Sequence, residues 1–234
     1  MVSVGGGMAL QGWATARRRH VRALRHGARA VFRSIPPMCL FLLLLLASSV
    51  VHASGLPEVQ TGDLIFHTSR SAQSLAVQRA TGSPYSHMGV ILLQNGQPCV
   101  FEAVQTVRCT PLARWIGRGD GGRFVLKRLK AAPDAAAHAK LARVAMSFAG
   151  RPYDLTFEWS DARIYCSELV WKLYERALGL RIGQLQQLRD FKLDDAAVRA
   201  KMRERYGKKV PLAESVISPV AMFESELLVE VGRR

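Results

Sequence analysis

The stretch SHMGVILLQNGQPCVFEAV, residues 86–104, constrains the fold more than any other part of the chain. Asn95-Gly96 between two apolar runs is the strongest short-range signal for a β-hairpin. A two-residue loop there fixes the register: Gln94 pairs with Gln97, Ile91 with Val100, Gly89 with Glu102, and His87 with Val104. Side chains alternate along a strand, so His87, Gly89 and Ile91 share a face with Val100, Glu102 and Val104. Glu102 is then diagonal to His87, roughly 7–8 Å away at the backbone and within reach of a long side chain. Gly89, directly opposite, leaves room for the carboxylate to lean toward the imidazole. A carboxylate that accepts the proton of one ring nitrogen sets the tautomer and stabilises the imidazolium. The hairpin therefore predicts a base beside its orienter.

A second segment, YCSELVWKLYERALG (165–179), opens on a cysteine and then turns helical. Leu169, Val170, Leu173, Tyr174, Ala177 and Leu178 recur at spacings of three and four, and Gly179 supplies a stop. Cys166 falls at or just before the first turn. If this helix packs on the His87–Glu102 face, its thiol sits near an imidazolium and a helix dipole. Both lower a cysteine pKa from about 8.5 into the range of roughly 3.5–7.5. Thiolate, imidazolium and carboxylate make a nucleophilic hydrolase site, with N–H groups at the helix start available to an oxyanion. Each residue alone has a plainer reading: a core cysteine, a structural strand histidine, a solvated edge glutamate. His67, at a strand end, is the competing base, and His138 falls on a polar helix face. No His, Cys or Asp cluster has zinc-ligand spacing, so neither a metal nor another cofactor is expected.

The N-terminus reads as an address. The run MCLFLLLLLASSVVHAS is a short apolar core behind an arginine-rich region, and it ends in small residues at Val51-His52-Ala53. At roughly 14 residues the core is shorter than a spanning helix requires. The expectation is a basic region and signal peptide over 1–53, with cleavage near Ala53 and export to the periplasm or outside. An uncleaved anchor in the inner membrane is the alternative. Seven arginines and no acidic residue in 1–53 account for +7 of the formal +15, leaving +8 on residues 54–234. That charge suits work near an anionic polymer or lipid surface. Its scatter, without a recognisable motif, sets nucleic acid aside.

Export strands a thiol. Cys39 leaves with the leader, so Cys99, Cys109 and Cys166 remain, an odd number in an oxidising compartment. Cys99 and Cys109 flank a reversal near residues 104–106 and are the expected pair, which leaves Cys166 free. Elsewhere, residues 61–69 and GGRFVLKRL read as strands. Helices are expected over 71–82, over 134–149 behind an Asp134 N-cap, and in the second half of 184–207. SPVAMFESELLVEVG holds Ser218 as a cap, Pro219 at a first helical position, and a last strand. Strands and helices are segregated, which favours an α+β fold with an antiparallel sheet flanked by helices.

The blocks TGDLIF, YSHMGVIL, VFEAV and GRPYDLTFEWSDARIYCSELVWKLYE together resemble the YiiX/YaeF (YiiX/YebB-like) branch of the NlpC-type papain-like cysteine hydrolases. In that branch the chain is circularly permuted, so histidine precedes cysteine. The resemblance covers most of residues 60–225. It implies one permuted papain-like domain over 54–234, a sheet or partial barrel against helices, with Cys166 as nucleophile, His87 as base and acid, and Glu102 as orienter. Tyr153 and Asp154 match positions found near the site, with Tyr153 in either a substrate-side or oxyanion role or a packing one; Asp63 and Glu168 match family motifs and are read as structural, and Tyr85 is a second substrate-side or oxyanion candidate. The implied reaction is hydrolysis of an amide or peptide bond through an acyl-enzyme by a monomer, and export adds peptidoglycan fragments as substrates. A lipid acyltransferase or thioesterase on the same fold, and a non-catalytic envelope-binding module, are the alternatives.

Overall fold

A computed structural model describes residues 58–234. The leader, its cleavage point and the alternative anchor lie outside the described residues. Strands β1 (Leu64–His67), β2 (His87–Gln94), β3 (Gln97–Glu102), β4 (Arg108–Pro111) and β5 (Val125–Leu129) are joined by β8 (Leu228–Arg233) in one open sheet. Its order is β4-β3-β2-β1-β5-β8, with every neighbouring pair antiparallel. Strands β6 (Gln186–Gln187) and β7 (Ser215–Val216) pair separately. The helices are α1 (Ala72–Thr81), α2 (Leu112–Arg118), α3 (Ala135–Met146), α4 (Cys166–Leu178), α5 (Ala196–Tyr206) and α6 (Pro219–Phe223). The fold is α+β, as the segregation of elements implies.

The β2–β3 hairpin turns through Asn95 (φ 51°) and Gly96 (φ 75°), both in the left-handed region that such a turn demands. Gln94 pairs with Gln97 and Ile91 with Val100, the register a two-residue loop requires. Gly89 is the position where a side chain cannot fit. A Cβ there would lie 2.8 Å from the Phe101 carbonyl oxygen and 3.3 Å from the Glu102 Cβ. Its absence lets the Glu102 side chain cross the strand.

Alternation sorts the strands onto two cores. On one face Ile65, Ile91, Val100 and Leu126 pack with Leu112, Trp115 and Ile116 of α2. On the other, Leu64, Phe66, Met88 and Val90 pack with Leu169, Val170, Leu173 and Tyr174 of α4. The Cys166 helix therefore does not lie on the His87–Glu102 face, the packing on which the sequence-based site was conditional. The physical reason is plain. The apolar stripe of α4 needs the face made by Phe66, Met88 and Val90, while α2 already covers the opposite one. Cys166 reaches His87 because α4 starts beside the first residues of β2.

The start of α4 is held firmly. Glu168 accepts from the Tyr165 backbone N–H at 3.3 Å and so caps the first turn. Ser167 Oγ donates to the Ile217 carbonyl at 2.7 Å, and Ile217 N–H donates to the Tyr165 hydroxyl at 3.0 Å. Gly179 closes the far end at φ 70°. Lys172 pairs with Glu168 at 2.7 Å and Asp161 at 3.1 Å.

Candidate active site

The strand-borne half of the site is built around a carboxylate with no exposed surface. Glu102 Oε2 meets His87 Nε2 at 2.6 Å and accepts from the Trp115 indole N–H at 2.9 Å. Its Oε1 accepts from the Thr110 hydroxyl at 2.6 Å and from the Arg118 guanidinium. Both oxygens are thus engaged twice, which an ionised buried carboxylate needs. Burial opposes the charge, but the bonds from His87 and Thr110 and the charge of Arg118 prevail, holding Glu102 down at about 2.

With Nε2 committed to Glu102, the other ring nitrogen of His87 is left for the thiol. Burial disfavours the imidazolium, yet the hydrogen bonds with Cys166 and Glu102 and their charges outweigh it and raise His87 to about 9. Cys166 is buried, 5% exposed, and is the free cysteine among the described residues. Burial pushes its pKa up. The His87 bond and charge, with N–H groups of Met88 and Ser167, offset that and bring it below the ordinary thiol value. A thiolate–imidazolium pair oriented by a carboxylate is the electrostatic state these three groups favour.

His67 pairs across the strands with His87 and stacks on Trp115 with ring centroids 3.8 Å apart. Burial, then the charges of His87 and Arg118, drive it down to about 3, so it stays neutral. With so little affinity for a proton, and with its ring stacked on the indole, His67 is a poor base. Tyr153 sits between the end of β3 and the start of α4: its N–H donates to the Gln105 carbonyl at 3.1 Å, and its hydroxyl accepts from Gln73 Nε2 at 2.7 Å. Tyr85 is elsewhere. It stacks on Phe223 at 4.1 Å and edges onto Phe66 at 6.1 Å, lining neither cavity beside the thiol. Its ring packs, partly buried, against the edge of the apolar core.

Cys99 and Cys109 form a disulfide with Cα atoms 5.5 Å apart. Asp63 is clamped by Arg128 at 2.7 and 2.8 Å, and Asp154 accepts from Thr156 at 2.8 and 2.9 Å. Burial lifts Glu168 to about 7 against the pull of Lys172. His138 is half-buried with its Nε2 out of solvent, not on a wetted face as its helix position suggests.

Three partners of Glu102 escaped the sequence reading. Trp115 and Arg118 are three apart and share one face of α2. Thr110 falls on the Glu102 face once β4 pairs with β3. The Cys99–Cys109 pairing was the available signal, because it brings residues 108–111 against 99–102.

A buried thiol at a helix start, an imidazole on a strand and a carboxylate on its neighbour define a papain-like cysteine hydrolase with histidine ahead of cysteine in the chain. Residues 58–231 match the family of permuted papain-like amidase enzymes, YaeF/YiiX, C92, and the chain belongs to that family. It is 48% identical over 174 residues to the uncharacterized protein YiiX of Escherichia coli K12, covering 74% of this chain and 86% of that protein. A crystal structure described as metalloprotein yiiX from Escherichia coli O157:H7 superposes with a TM-score of 0.74. It shares 48% identity and covers 75% of this chain and 97% of that one. Among the described residues no three His, Cys, Asp or Glu side chains converge as ligands, and His87 and Glu102 turn their facing atoms on each other.

Proposed function

We propose that this protein is an exported thiol hydrolase that cleaves an amide bond with Cys166 as nucleophile, His87 as base and acid, and Glu102 as orienter. The observation that carries this reading is the 2.6 Å His87–Glu102 bond, which leaves the second imidazole nitrogen to the thiol at the start of α4. The Cys166 sulfur attacks the carbonyl carbon. The tetrahedral oxyanion is met by N–H groups of the first helical turn, which lack intrahelical acceptors. Because the Tyr153 hydroxyl accepts from Gln73, its own proton is free to donate to the same oxyanion. The C–N bond breaks as His87 gives its proton to the leaving nitrogen. Water then attacks the thioester with His87 as base, releasing the acid and restoring the pair.

Export rests on the leader and is supported by the Cys99–Cys109 disulfide, which persists in an oxidising compartment. A non-catalytic binding module needs no buried carboxylate holding a histidine toward a thiol. The test is hydrolysis of a panel of acyl and peptidyl coumarin amides, with intact-mass detection of an acyl group on Cys166. Wild-type protein is expected to turn over, and Cys166→Ala to lose at least about 10⁴-fold. Equal rates in the two proteins refute the reading.

A further inference from the structure

His87 lines a polar cleft of about 580 Å³ together with Arg70, Gln105 and Arg118. Cys166 is not among its lining, and among the described residues no aspartate or glutamate is either. Apart from the imidazole, its charges are the two guanidinium groups. The start of α1, with Ser71 and Gln73, adds the positive end of a helix dipole. Glu102 does not neutralise the cleft, because it is fully buried and both its oxygens are already engaged. Arg70 is exposed and has no ion-pair partner among the described residues. The Arg118 side chain keeps 37% of its surface open, and its buried Nε has no hydrogen-bond partner.

Both cations are tied to the imidazole. One oxygen of Glu102 holds His87 and the other holds Arg118, so a single carboxylate separates the ring from the guanidinium. The Ser69 N–H donates to Ser86 Oγ at 3.0 Å, which links the residue before Arg70 to the residue before His87. In amide hydrolysis the leaving nitrogen takes its proton from the imidazole, so the leaving half of the substrate lies on this side. An amide inside a peptide chain would bring only a neutral peptide group to the two cations. A terminal amino acid brings an α-carboxylate two bonds from the leaving nitrogen, and a guanidinium suits that group in charge and in planar geometry.

We infer that the protein removes a C-terminal amino acid, with Arg70 and Arg118 binding the free carboxylate of the leaving residue. This rests on the amide hydrolysis proposed above. The Cys166 sulfur bonds to the carbonyl carbon, the C–N bond breaks, and the amino acid nitrogen leaves with the His87 proton. Water then adds to the thioester, releasing the shortened acid and restoring the thiol.

The experiment uses matched pairs that differ only in the terminal charge: N-acetyl-alanyl-alanine against its C-terminal amide, and benzoyl-alanine against its amide. Released alanine or alaninamide is measured by mass spectrometry with the whole protein. Within each pair the free acid is expected to exceed the amide in kcat/KM by about tenfold to 10²-fold. Arg70→Ala brings the ratio toward one, chiefly by raising KM for the acid, and Arg70→Glu inverts it. Should these variants misfold, wild-type protein gives the same answer through salt: the ratio falls at about 1 M salt, where the screening length is roughly 3 Å. Equal Cys166-dependent rates for acid and amide overturn this inference and leave the amidase reading intact. So does hydrolysis of the coumarin amides by protein that cleaves neither member of any pair. Absence of Cys166-dependent hydrolysis from every substrate, coumarin amides included, overturns both.

Discussion

Glu102 shows what one buried charge demands of its neighbours. An imidazole, an indole, a hydroxyl and a guanidinium converge on its two oxygens, and Gly89 withholds a side chain so that it can cross β2. Glu102→Gln keeps the shape but places an NH2 group where only donors point, and removes the charge that supports the imidazolium. The expected result is a kcat/KM lowered by about 10²–10⁴. Glu102 raises His87, so its loss moves the alkaline limb of the pH–rate profile down from about 9 toward the ordinary histidine value. An unshifted limb speaks against the orienter role. His87 and Glu102 were legible because two-residue alternation across a tight hairpin is short-range arithmetic. Their partners on α2 were not, because LARWIGR gives no sign of which sheet face it will cover.

Among the elements, β4 depends most on a covalent tie. It has four residues, lies at the sheet edge, and is joined to β3 by Cys99–Cys109 while carrying Thr110 to the Glu102 carboxylate. Replacing both cysteines by serine opens a loop of ten-residue separation and is expected to cost about 2–3 kcal/mol. It should also raise KM and lower kcat less than Glu102→Gln does, since β3–β4 pairing persists. Thermal unfolding with and without reductant checks the stability; equal midpoints contradict a stabilising tie. Most elements could be read from the sequence through their punctuation: Asn95-Gly96, the Asp134 and Ser218 caps, and Gly82 and Gly179 in the left-handed conformation. Helix α2 lacks such marks. Its cap is Pro111 with no side-chain bond, and its apolar residues are too few for a clear period.

At the scale of the molecule, the nucleophile and base come from opposite sides of the sheet. Helix α4 packs on the Met88 face, His87 turns toward the α2 face, and the two side chains meet where β2 begins. No local pattern could disclose this, because the side a helix takes is decided by which face is more apolar and which is already covered. The pair is thus a property of the assembled layers, and unfolding must abolish it. The measurement that tests this most directly is the rate of Cys166 alkylation by iodoacetamide against pH, followed by mass spectrometry. It compares wild type, His87→Ala and denatured wild type. The folded protein is expected to react readily well below pH 8.5, whereas His87→Ala and the denatured chain titrate like an ordinary thiol near 8.5. An ordinary titration in the folded wild type, or one indifferent to His87, contradicts the thiolate–imidazolium pair.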